Sequence, residues 1–499
     1  MSIIRHRRAR HVIVATAAIT ALAAAAAPAV SASPTGSSTE TYILLYNSGA
    51  STAGAQKAVT AAGGTVVANH SAIGVVVARS SSSTFEAKIE ASQRVQAAST
   101  TGLGVHVGFD EEDLVAAADV PAPDSDGEPL ANLQWDMEQI NAFAAHEITG
   151  GSDDVIVADI DTGLDFTHPD LAPNYDAANS TDCSSGEPMP LLAGNDHIGH
   201  GTHTAGTIAA AVNGIGITGV APNVRLAGIK SSNDDGFFFP EMVVCAYMWV
   251  ATHGIDVTNN SYFADPWLYN CVNDPEQRAI WQAERRAIRY AQSQGTVVVV
   301  SEGNDSDDLS HPIFDQTSPD NTTPVKREIT NACSVIPVEV PGAIGVTATG
   351  NLHLKSYYSS YGISTADVAA PGGDRRFQTA TPGGGGRVLS TYPTGLCPPG
   401  PLRVVDQGAE YCYLQGTSMA APHVAGVAAL IISQTGMKGG AVAAALQQAT
   451  NPLPCPDTSQ PIYANFPGFN SEAPQTCTGG LNHNSFYGSG EIDALQAVS

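Results

Sequence analysis

The chain has 499 residues, with 48 Asp or Glu against 22 Lys or Arg, so its formal net charge at pH 7 is -26. This excess of negative charge excludes nucleic acid as a natural partner, because repulsion by the phosphates would dominate. Beyond the N-terminal segment, no apolar run approaches the roughly 20 residues that a membrane span requires, so no membrane partner is expected.

Residues 1–32 have the pattern of a secretory signal peptide. Arginines at positions 5, 7, 8 and 10 precede an alanine-rich apolar stretch over residues 12–27, and small residues follow up to Ala32. The apolar core is too short and too rich in alanine to favour a transmembrane helix. We therefore expect a secreted, extracellular protein.

Residues 33–131 are expected to form a segment separate from the main domain. Strand-like and helical patterns alternate over residues 41–46, 53–62, 63–78, 83–92 and 95–107. They predict a compact α/β module over about residues 40–107. Residues 110–131, rich in Asp, Glu, Pro and Ala, can bury little apolar surface and indicate an exposed acidic linker.

The main domain is expected to cover residues 132–499, and two of its polar side chains stand at the ends of regular elements. Residues 155–160 form a short apolar run that predicts a buried strand, with Asp161 at its tip before Thr162-Gly163. Gly199-His200-Gly201 precedes a helical pattern, which places His200 at the start of a helix.

A third polar side chain, Ser418, lies at a predicted loop-to-helix junction between Gly416 and an apolar run over residues 427–432. Backbone N–H groups at such a junction are unpaired and can stabilise an oxyanion. The alternative interpretation is an N-cap serine on a buried helix. A serine hydroxyl needs an imidazole to take its proton, and the imidazole needs an orienting carboxylate; His200 and Asp161 supply these groups.

The segments around Asp161, His200 and Ser418 resemble the three signature segments of the subtilisin family of serine peptidases, which has the same Asp, His, Ser order. A fourth match is Gly303-Asn304 after an apolar run over residues 296–300. The resemblance implies an α/β fold, a three-layer sandwich with a mainly parallel central sheet, preceded by a small α/β propeptide domain.

The resemblance also implies a secreted serine endopeptidase that cleaves proteins or peptides through an acyl-enzyme on Ser418. His200 would be the general base, Asp161 its orienting partner, and Asn304 with the Ser418 N–H the oxyanion hole. Substrate would pair with the segment Ser261-Tyr262-Phe263 and lie beside Ser301 and Gly303. The chain would be a self-processed precursor, with residues 33–131 as its intramolecular inhibitor; an unrelated binding module is the alternative for this segment.

A structural calcium site is a further implication of the resemblance. Asp170 matches the site's aspartate, and residues 211–217 match in length the loop that holds the ion. The candidate ligands are Asp170, Ala211, Asn213, Ile215 and Ile217. Oxygen ligands suit this cation. The family's N-terminal glutamine ligand does not align cleanly, and glycine-rich loops also occur without ions. No cofactor is expected for catalysis.

Eight cysteines in an exported chain predict disulfides. Cys397 with Cys412 and Cys455 with Cys477 bracket Gly- and Pro-rich insertions and are the preferred pairs. The remaining four cysteines allow three pairings, and the sequence does not choose among them. They are Cys183, Cys245, Cys271 and Cys333.

Three further points limit the functional interpretation. Glu302 and Asp305 flank Asn304 and could favour basic side chains in a substrate, although solvated or hydrogen-bonded carboxylates are the alternative. Asp159 stands on the same strand face as Asp161, where two carboxylates repel unless one is protonated or paired. The alternative functions are a narrow-specificity maturation protease and an inactive subtilisin-like secreted binding protein. A monomer is expected.

Overall fold

The computed structural model describes residues 38–102 and 127–499. The predicted signal peptide and most of the predicted acidic linker lie outside the described residues. The described part consists of a small N-terminal module and a large α/β domain.

The N-terminal module has four strands and two helices. They are β1 (Glu40–Tyr46), α1 (Ala55–Ala62), β2 (Gly64–His70), β3 (Val75–Ser80), α2 (Phe85–Glu90) and β4 (Val95–Thr100). The strands form an antiparallel sheet in the order β2-β3-β1-β4. One face of this sheet packs against both helices through a core that includes Leu44, Val59, Val76 and Phe85. Each element lies where the sequence pattern predicts it.

The large domain has the remaining elements. Its helices are α3 (Trp135–Gln139), α4 (Ala142–His146), α5 (His200–Ala209), α6 (Pro240–Thr252), α7 (Pro275–Ser293), α8 (Thr417–Thr435), α9 (Gly440–Gln448), α10 (Pro461–Ala464) and α11 (Ala494–Val498). Its strands are β5 (Ile156–Asp161), β6 (Thr181–Asp182), β7 (Arg225–Lys230), β8 (Val257–Asn260), β9 (Asn270–Cys271), β10 (Val297–Ser301), β11 (Phe314–Asp315), β12 (Arg327–Glu328), β13 (Cys333–Ser334), β14 (Ala343–Thr349), β15 (Ala366–Pro371), β16 (Val388–Tyr392), β17 (Arg403–Asp406), β18 (Ala409–Leu414), β19 (Thr450–Asn451), β20 (Gly479–Gly480), β21 (His483–Asn484) and β22 (Glu491–Ile492).

The central sheet has nine strands in the order β19-β22-β15-β14-β10-β8-β5-β7-β6. All neighbouring strands are parallel except β19 and β22. Alternate residues of one strand enter different cores: Val299 packs with α5 and α8, whereas Val298 and Val300 pack with α6 and α7. Helices therefore cover both faces, and the predicted three-layer sandwich is confirmed.

The longest buried element is α8, whose residues from Thr417 to Ile432 are all buried. It contacts α5, β8, β10 and β14. A Cβ added at Gly426 would lie 2.5 Å from the Cβ of Val220, so the close approach at this point requires glycine. The helix is thereby fixed with Ser418 at its N-terminal end.

The module packs on the large domain through β1, β4 and α7. The Arg286 guanidinium on α7 donates hydrogen bonds to the carbonyls of Tyr46 (2.9 Å) and Ile73 (3.2 Å). Ile43 and Val77 of the module share a hydrophobic core with α6 and α7. This contact is apolar at its centre and hydrogen-bonded at its edge.

The sequence also suggests that residues 265–294 and 372–410 are insertions into the main domain. Residues 265–294 instead contain α7, a 19-residue helix with an apolar stripe that packs in the core. By contrast, residues 372–410 contribute to a separate antiparallel sheet, β16-β18-β17. Residues 275–293 pack against the sheet because their apolar side chains recur at helical spacing and so form one apolar face of a helix.

Four disulfides form within the described residues. The predicted pairs Cys397–Cys412 and Cys455–Cys477 are confirmed. The four cysteines whose pairing the sequence leaves open form Cys183–Cys245 and Cys271–Cys333.

Across residues 38–102 and 127–499, no single helix is long and apolar enough to cross a membrane. Among these residues, only α8 and α9 taken together are long and apolar enough, and the two helices are bent by 109° relative to each other.

Loss of the Cys397–Cys412 disulfide is expected to destabilise the large domain. The two cysteines are 15 positions apart and both are buried, so closing this loop is worth about 3 kcal/mol by the chain-entropy estimate. The double variant Cys397→Ser, Cys412→Ser should unfold at a lower denaturant concentration than the wild type. Equal unfolding midpoints would contradict this expectation.

Candidate active site

Asp161 and His200 meet at the carboxyl end of the central sheet. Asp161 is the last residue of β5 and fully buried, while His200 is the first residue of α5 and about a quarter exposed. The Nδ1 atom of His200 lies 2.7 Å from Asp161 Oδ1. Gly199, which precedes His200, has a φ of 86° that favours glycine and turns the chain into the helix.

The start of α5 is held by a residue that sequence reasoning missed, Asp196. Its Oδ1 accepts hydrogen bonds from Thr162 Oγ1 (2.9 Å) and Gly199 N (2.8 Å). Its Oδ2 accepts from the N–H (3.0 Å) and the hydroxyl (2.7 Å) of Thr202. One buried carboxylate thus joins the loop after β5 to both sides of His200. One sequence signal could have identified Asp196: it stands four positions before a histidine that begins a helix.

Ser418 lies in the first turn of α8, and its hydroxyl faces the same cleft as His200. The Oγ atom donates a hydrogen bond of 3.3 Å to the carbonyl of Ser261. Ser261 Oγ in turn donates to the Ser418 carbonyl at 3.0 Å. This reciprocal pair joins the segment after β8 to the helix that carries Ser418.

Asn304 and the Ser418 N–H both lie near Gly416. The Asn304 Oδ1 atom accepts hydrogen bonds from the N–H (2.9 Å) and hydroxyl (3.0 Å) of Thr417, which fixes the amide plane. A Cβ built on Gly416 would lie 3.6 Å from Asn304 Nδ2 and 3.6 Å from Ser418 N. The Asn304 side-chain nitrogen and the Ser418 backbone nitrogen therefore lie close to the same residue.

The cleft around these groups has a volume of about 1320 Å³. It is lined by all five residues predicted to contact substrate, which are Ser261, Tyr262, Phe263, Ser301 and Gly303. The ring of Tyr262 stacks on Phe238 with 4.3 Å between the ring centroids. This contact stabilises the segment over residues 261–263.

The two carboxylates beside Asn304 have different environments. Glu302 is buried and accepts a hydrogen bond from Thr365, and burial raises its pKa to about 8. Its Oε2 atom lies against Gly345 in the sheet, and Glu302 is also one of the residues that line the cleft. Asp305 lines the cleft, and burial together with Asp307 raises its pKa to about 7.

Asp159 has two hydrogen-bond partners, the Thr204 hydroxyl at 2.7 Å and Asn259 Nδ2 at 2.8 Å. Burial, followed by the nearby Asp161, raises the pKa of Asp159 well above its usual value. Asp159 is thus paired by hydrogen bonds, and its raised pKa favours the protonated form, which reduces repulsion from Asp161.

Three other histidines of the signature segments have packing contacts. The ring nitrogens Nε2 of His168 and His203 lie 3.0 Å from the carbonyls of Glu410 and Cys412. His423 Nε2 lies 3.0 Å from Asp136 Oδ2 in the core.

The predicted calcium ligands lie together in the structure. Asp170 is buried; its Oδ2 accepts hydrogen bonds from Tyr411 (2.7 Å) and Ile217 N (3.2 Å), whereas Oδ1 has no partner among the described residues. Asn213 uses its Oδ1 to accept from Ile215 N at 3.0 Å. The N–H of Ala211 donates to the Asp170 carbonyl at 2.8 Å. The orphaned Asp170 oxygen fits a cation, and the Asn213 oxygen would have to turn to reach it.

Comparison with known proteins places this geometry in a family. A family model described as the subtilase family matches residues 152–490. Subtilisin BL of Lederbergia lenta is 31% identical over 303 residues, which cover 60% of this chain and 84% of that protein. Fervidolysin of Fervidobacterium pennivorans is 31% identical over 324 residues, which cover 62% of this chain and 39% of that protein.

Solved structures agree with this comparison. The crystal structure of fervidolysin, described as a keratinolytic enzyme related to subtilisin, matches with a TM-score of 0.63 and 25% identity, covering 92% of this chain and 61% of that chain. The epidermin leader peptide processing serine protease of Staphylococcus aureus shares the fold with a TM-score of 0.67 at 22% identity, covering 92% of this chain and 98% of that chain. Because the family model matches more than half of its length, the chain belongs to the subtilase family of serine peptidases.

Proposed function

We propose that this chain is a secreted serine endopeptidase made as a self-processed precursor. The observation that carries the proposal is the 2.7 Å contact between Asp161 and His200 in the cleft that also holds the Ser418 hydroxyl. Family membership supports peptide-bond hydrolysis as the reaction, with proteins or peptides as substrates.

In the proposed mechanism, Ser418 Oγ attacks the carbonyl carbon of the scissile bond while His200 Nε2 takes its proton. Asp161 holds His200 through Nδ1 and stabilises the imidazolium that forms. His200 then gives the proton to the leaving amine, and water hydrolyses the acyl-enzyme by the same steps. Full burial of Asp161 strengthens its interaction with the imidazolium, because the local dielectric is low.

The two donors beside Gly416 would stabilise the oxyanion. The proximity of both Asn304 Nδ2 and Ser418 N to Gly416 supports this role, and the N-terminus of α8 would add its positive dipole end. Removing one such donor from a serine peptidase costs about 100- to 1000-fold in kcat. Substrate backbone would add to the segment 261–263, with Ser301 and Gly303 on the other side of the bound chain.

We propose that residues 33–131 are the propeptide, with the module as the inhibitor. The last described residue of the module segment, Gly102, lies close to Phe239, Pro266 and Asn321, next to the cleft-lining residues Asp265 and Asp320. The module segment therefore comes close to residues that are adjacent in sequence to the lining of the cleft. Cleavage downstream of this point would free the domain over residues 132–499.

The disulfide bonds support a function outside the cell. Four disulfides are typical of proteins that fold in an oxidising compartment. The signal peptide pattern over residues 1–32 agrees with this setting.

We also propose a structural calcium ion held by Asp170, Asn213 and the carbonyls of Ala211, Ile215 and Ile217. The ion would neutralise a buried carboxyl whose pKa burial raises to about 7. It would stabilise the loop over residues 211–217 and supply no chemistry to the reaction.

The alternative function, an inactive binding protein, is tested by comparing the precursor with Ser418→Ala. The wild type should shorten with time and react with a fluorophosphonate probe, because both events need the activated hydroxyl; Ser418→Ala should do neither. Ser433→Ala, on the same helix, is the matched control and should behave as the wild type. A wild type that keeps its full size and takes no label would favour the binding protein.

The pH dependence of kcat/KM should report His200. Burial lowers the pKa of His200, but Asp161 outweighs this effect, so the net pKa lies above the usual 6.5. Because the base must be neutral, activity should fall as the pH decreases through a midpoint above 6.5 and stay high in mildly alkaline solution. A rate profile on a peptide ester measures this midpoint. A midpoint below 6.5 would contradict the assignment of His200 as the base.

Chelation should destabilise the wild type if calcium binds at Asp170. An ion present at a hundredfold excess over its Kd adds about 2.7 kcal/mol to the free energy of unfolding. The unfolding temperature should therefore fall when a chelator replaces calcium, and it should be indifferent to calcium in Asp170→Asn. An equal unfolding temperature of the wild type with and without calcium would overturn the site.

A further inference from the structure

A buried carboxyl group, that of Asp159, lies two positions before Asp161 and takes no part in the proposed reaction. Asp159 is only 2% exposed and belongs to β5, the strand that ends at Asp161. Burying a carboxyl group costs free energy unless the group is paired or protonated. Each of its two oxygen atoms has a hydrogen-bond partner, and the two partners belong to different elements. Asp159 therefore connects two parts of the site.

On one side, Asp159 contacts the helix that begins at His200. Its Oδ2 atom lies 2.7 Å from Thr204 Oγ1, one turn after His200 in α5. The same hydroxyl lies 3.1 Å from the carbonyl of Gly201 and 3.3 Å from that of His200. Thr204 has one hydroxyl proton, so it can donate either to the carboxyl group or to a carbonyl of the helix. A protonated Asp159 can donate to Thr204, which leaves the Thr204 proton for the carbonyl of Gly201.

On the other side, Asp159 is linked to the segment that contacts Ser418. Asp159 Oδ1 accepts a hydrogen bond of 2.8 Å from Asn259 Nδ2 on β8. The second proton of that amide goes to Ser261 Oγ at 3.1 Å. Ser261 donates its own proton to the carbonyl of Ser418 at 3.0 Å. All four residues are buried, so water competes little for these hydrogen bonds.

The carbonyl of Ser418 depends on Ser261 because of a proline in α8. In a regular α-helix this carbonyl would accept from the N–H of the residue four positions later. That residue is Pro422, which has no N–H. A buried carbonyl without a partner is costly, and the Ser261 hydroxyl supplies the missing donor. Ser261 therefore holds the first turn of α8 at the residue that carries the proposed nucleophile.

The surroundings of Asp159 favour its neutral form. Burial, followed by the negative charge of Asp161, raises the pKa of Asp159 well above its usual value. The hydrogen bonds from Thr204 and Asn259 and the charge of His200 act in the opposite direction, and their effect is smaller. A neutral Asp159 puts no second negative charge beside Asp161 and still keeps hydrogen bonds on both sides.

We propose that Asp159 is a positioning residue that acts as a neutral carboxylic acid and joins the helix that begins at His200 to the helix that carries Ser418. The connection consists of the buried hydrogen bonds on the two sides of its carboxyl group. It affects the rate because the reaction depends on the distance and orientation between the hydroxyl and its base. This inference rests on the proposed function, since it assigns a further role in the same reaction.

Two substitutions of Asp159 separate its charge from its hydrogen bonds. Asp159→Asn has nearly the same shape and no charge, and its amide can donate to Thr204 and accept from Asn259. Asp159→Val removes both hydrogen bonds. Each full chain is expressed and allowed to process itself, and kcat, KM and their pH dependence are measured with a peptide ester. The rate of fluorophosphonate labelling reports the reactivity of Ser418 independently of peptide binding.

We expect Asp159→Asn to keep kcat within about twofold of the wild type, because its hydrogen bonds persist. The midpoint of its kcat/KM profile should also be unchanged. If Asp159 were ionised, its charge would raise the pKa of His200, and removing that charge would shift the midpoint to lower pH. Asp159→Val should lower kcat and the labelling rate by about threefold to tenfold, the size of one hydrogen bond, with a smaller change in KM.

A double-mutant cycle tests the path to the nucleophile. Ser261→Ala should also lower kcat, and Asp159→Val combined with Ser261→Ala should be no slower than the slower single variant, because both break one chain of contacts. Thr347→Val is the matched control: it removes a buried hydrogen bond to the carbonyl of Phe486 in the same sheet and should keep the wild-type kcat. If Asp159→Val does not fold, Thr204→Val, which breaks the connection at α5, takes its place in the cycle.

The remaining outcomes contradict the inference. A loss of activity in Asp159→Asn as large as that in Asp159→Val, or a lower pH midpoint, would show that the charge is needed. A wild-type kcat in Asp159→Val, additive losses in the cycle, or the same loss in Thr347→Val would exclude positioning through Ser261. A wild type that hydrolyses neither the ester nor casein and takes no label would instead overturn the proposed function, and the inference with it.

Discussion

The burial of α8 is the constraint on which the rest of the structure depends. A helix whose first sixteen residues are all buried can sit in only one place, between α5 and the strands β8, β10 and β14. Gly426 allows the contact with Val220 at the closest point. Because interiors are close-packed, this contact fixes the helix along its axis and thus fixes Ser418 at its end. A loop could not hold the hydroxyl with the same precision.

The parallel sheet then brings the other groups to that end. Strands β5 and β10 point the same way, so Asp161 and the residues after Ser301 emerge at one edge. Asp161 and Asn304 are 143 positions apart in the chain and yet both lie at the carboxyl edge of the sheet, because strand direction and not sequence distance determines where the carboxyl ends lie. Asp196 completes the arrangement by joining the loop after β5 to the first turn of α5.

Sequence reasoning succeeded where the local pattern of residues determines the structure. The apolar run over residues 155–160 had to be a buried strand, and the small residues around Ser418 had to allow a helix to begin in the core. It failed where the surroundings of a side chain depend on contacts with residues far away in the chain. Nothing in the local sequence shows that Glu302 accepts a hydrogen bond from Thr365, which lies 63 positions further along the chain. The pairing of Cys183 with Cys245 likewise depends on how β6 and α6 pack.

The inserted residues 372–410 show why specificity is harder to infer than mechanism. The proposed reaction needs Asp161, His200 and Ser418 in one geometry, so their surroundings would tolerate little change. The walls of the cleft carry no such requirement, and here they include a disulfide-linked sheet and two arginines.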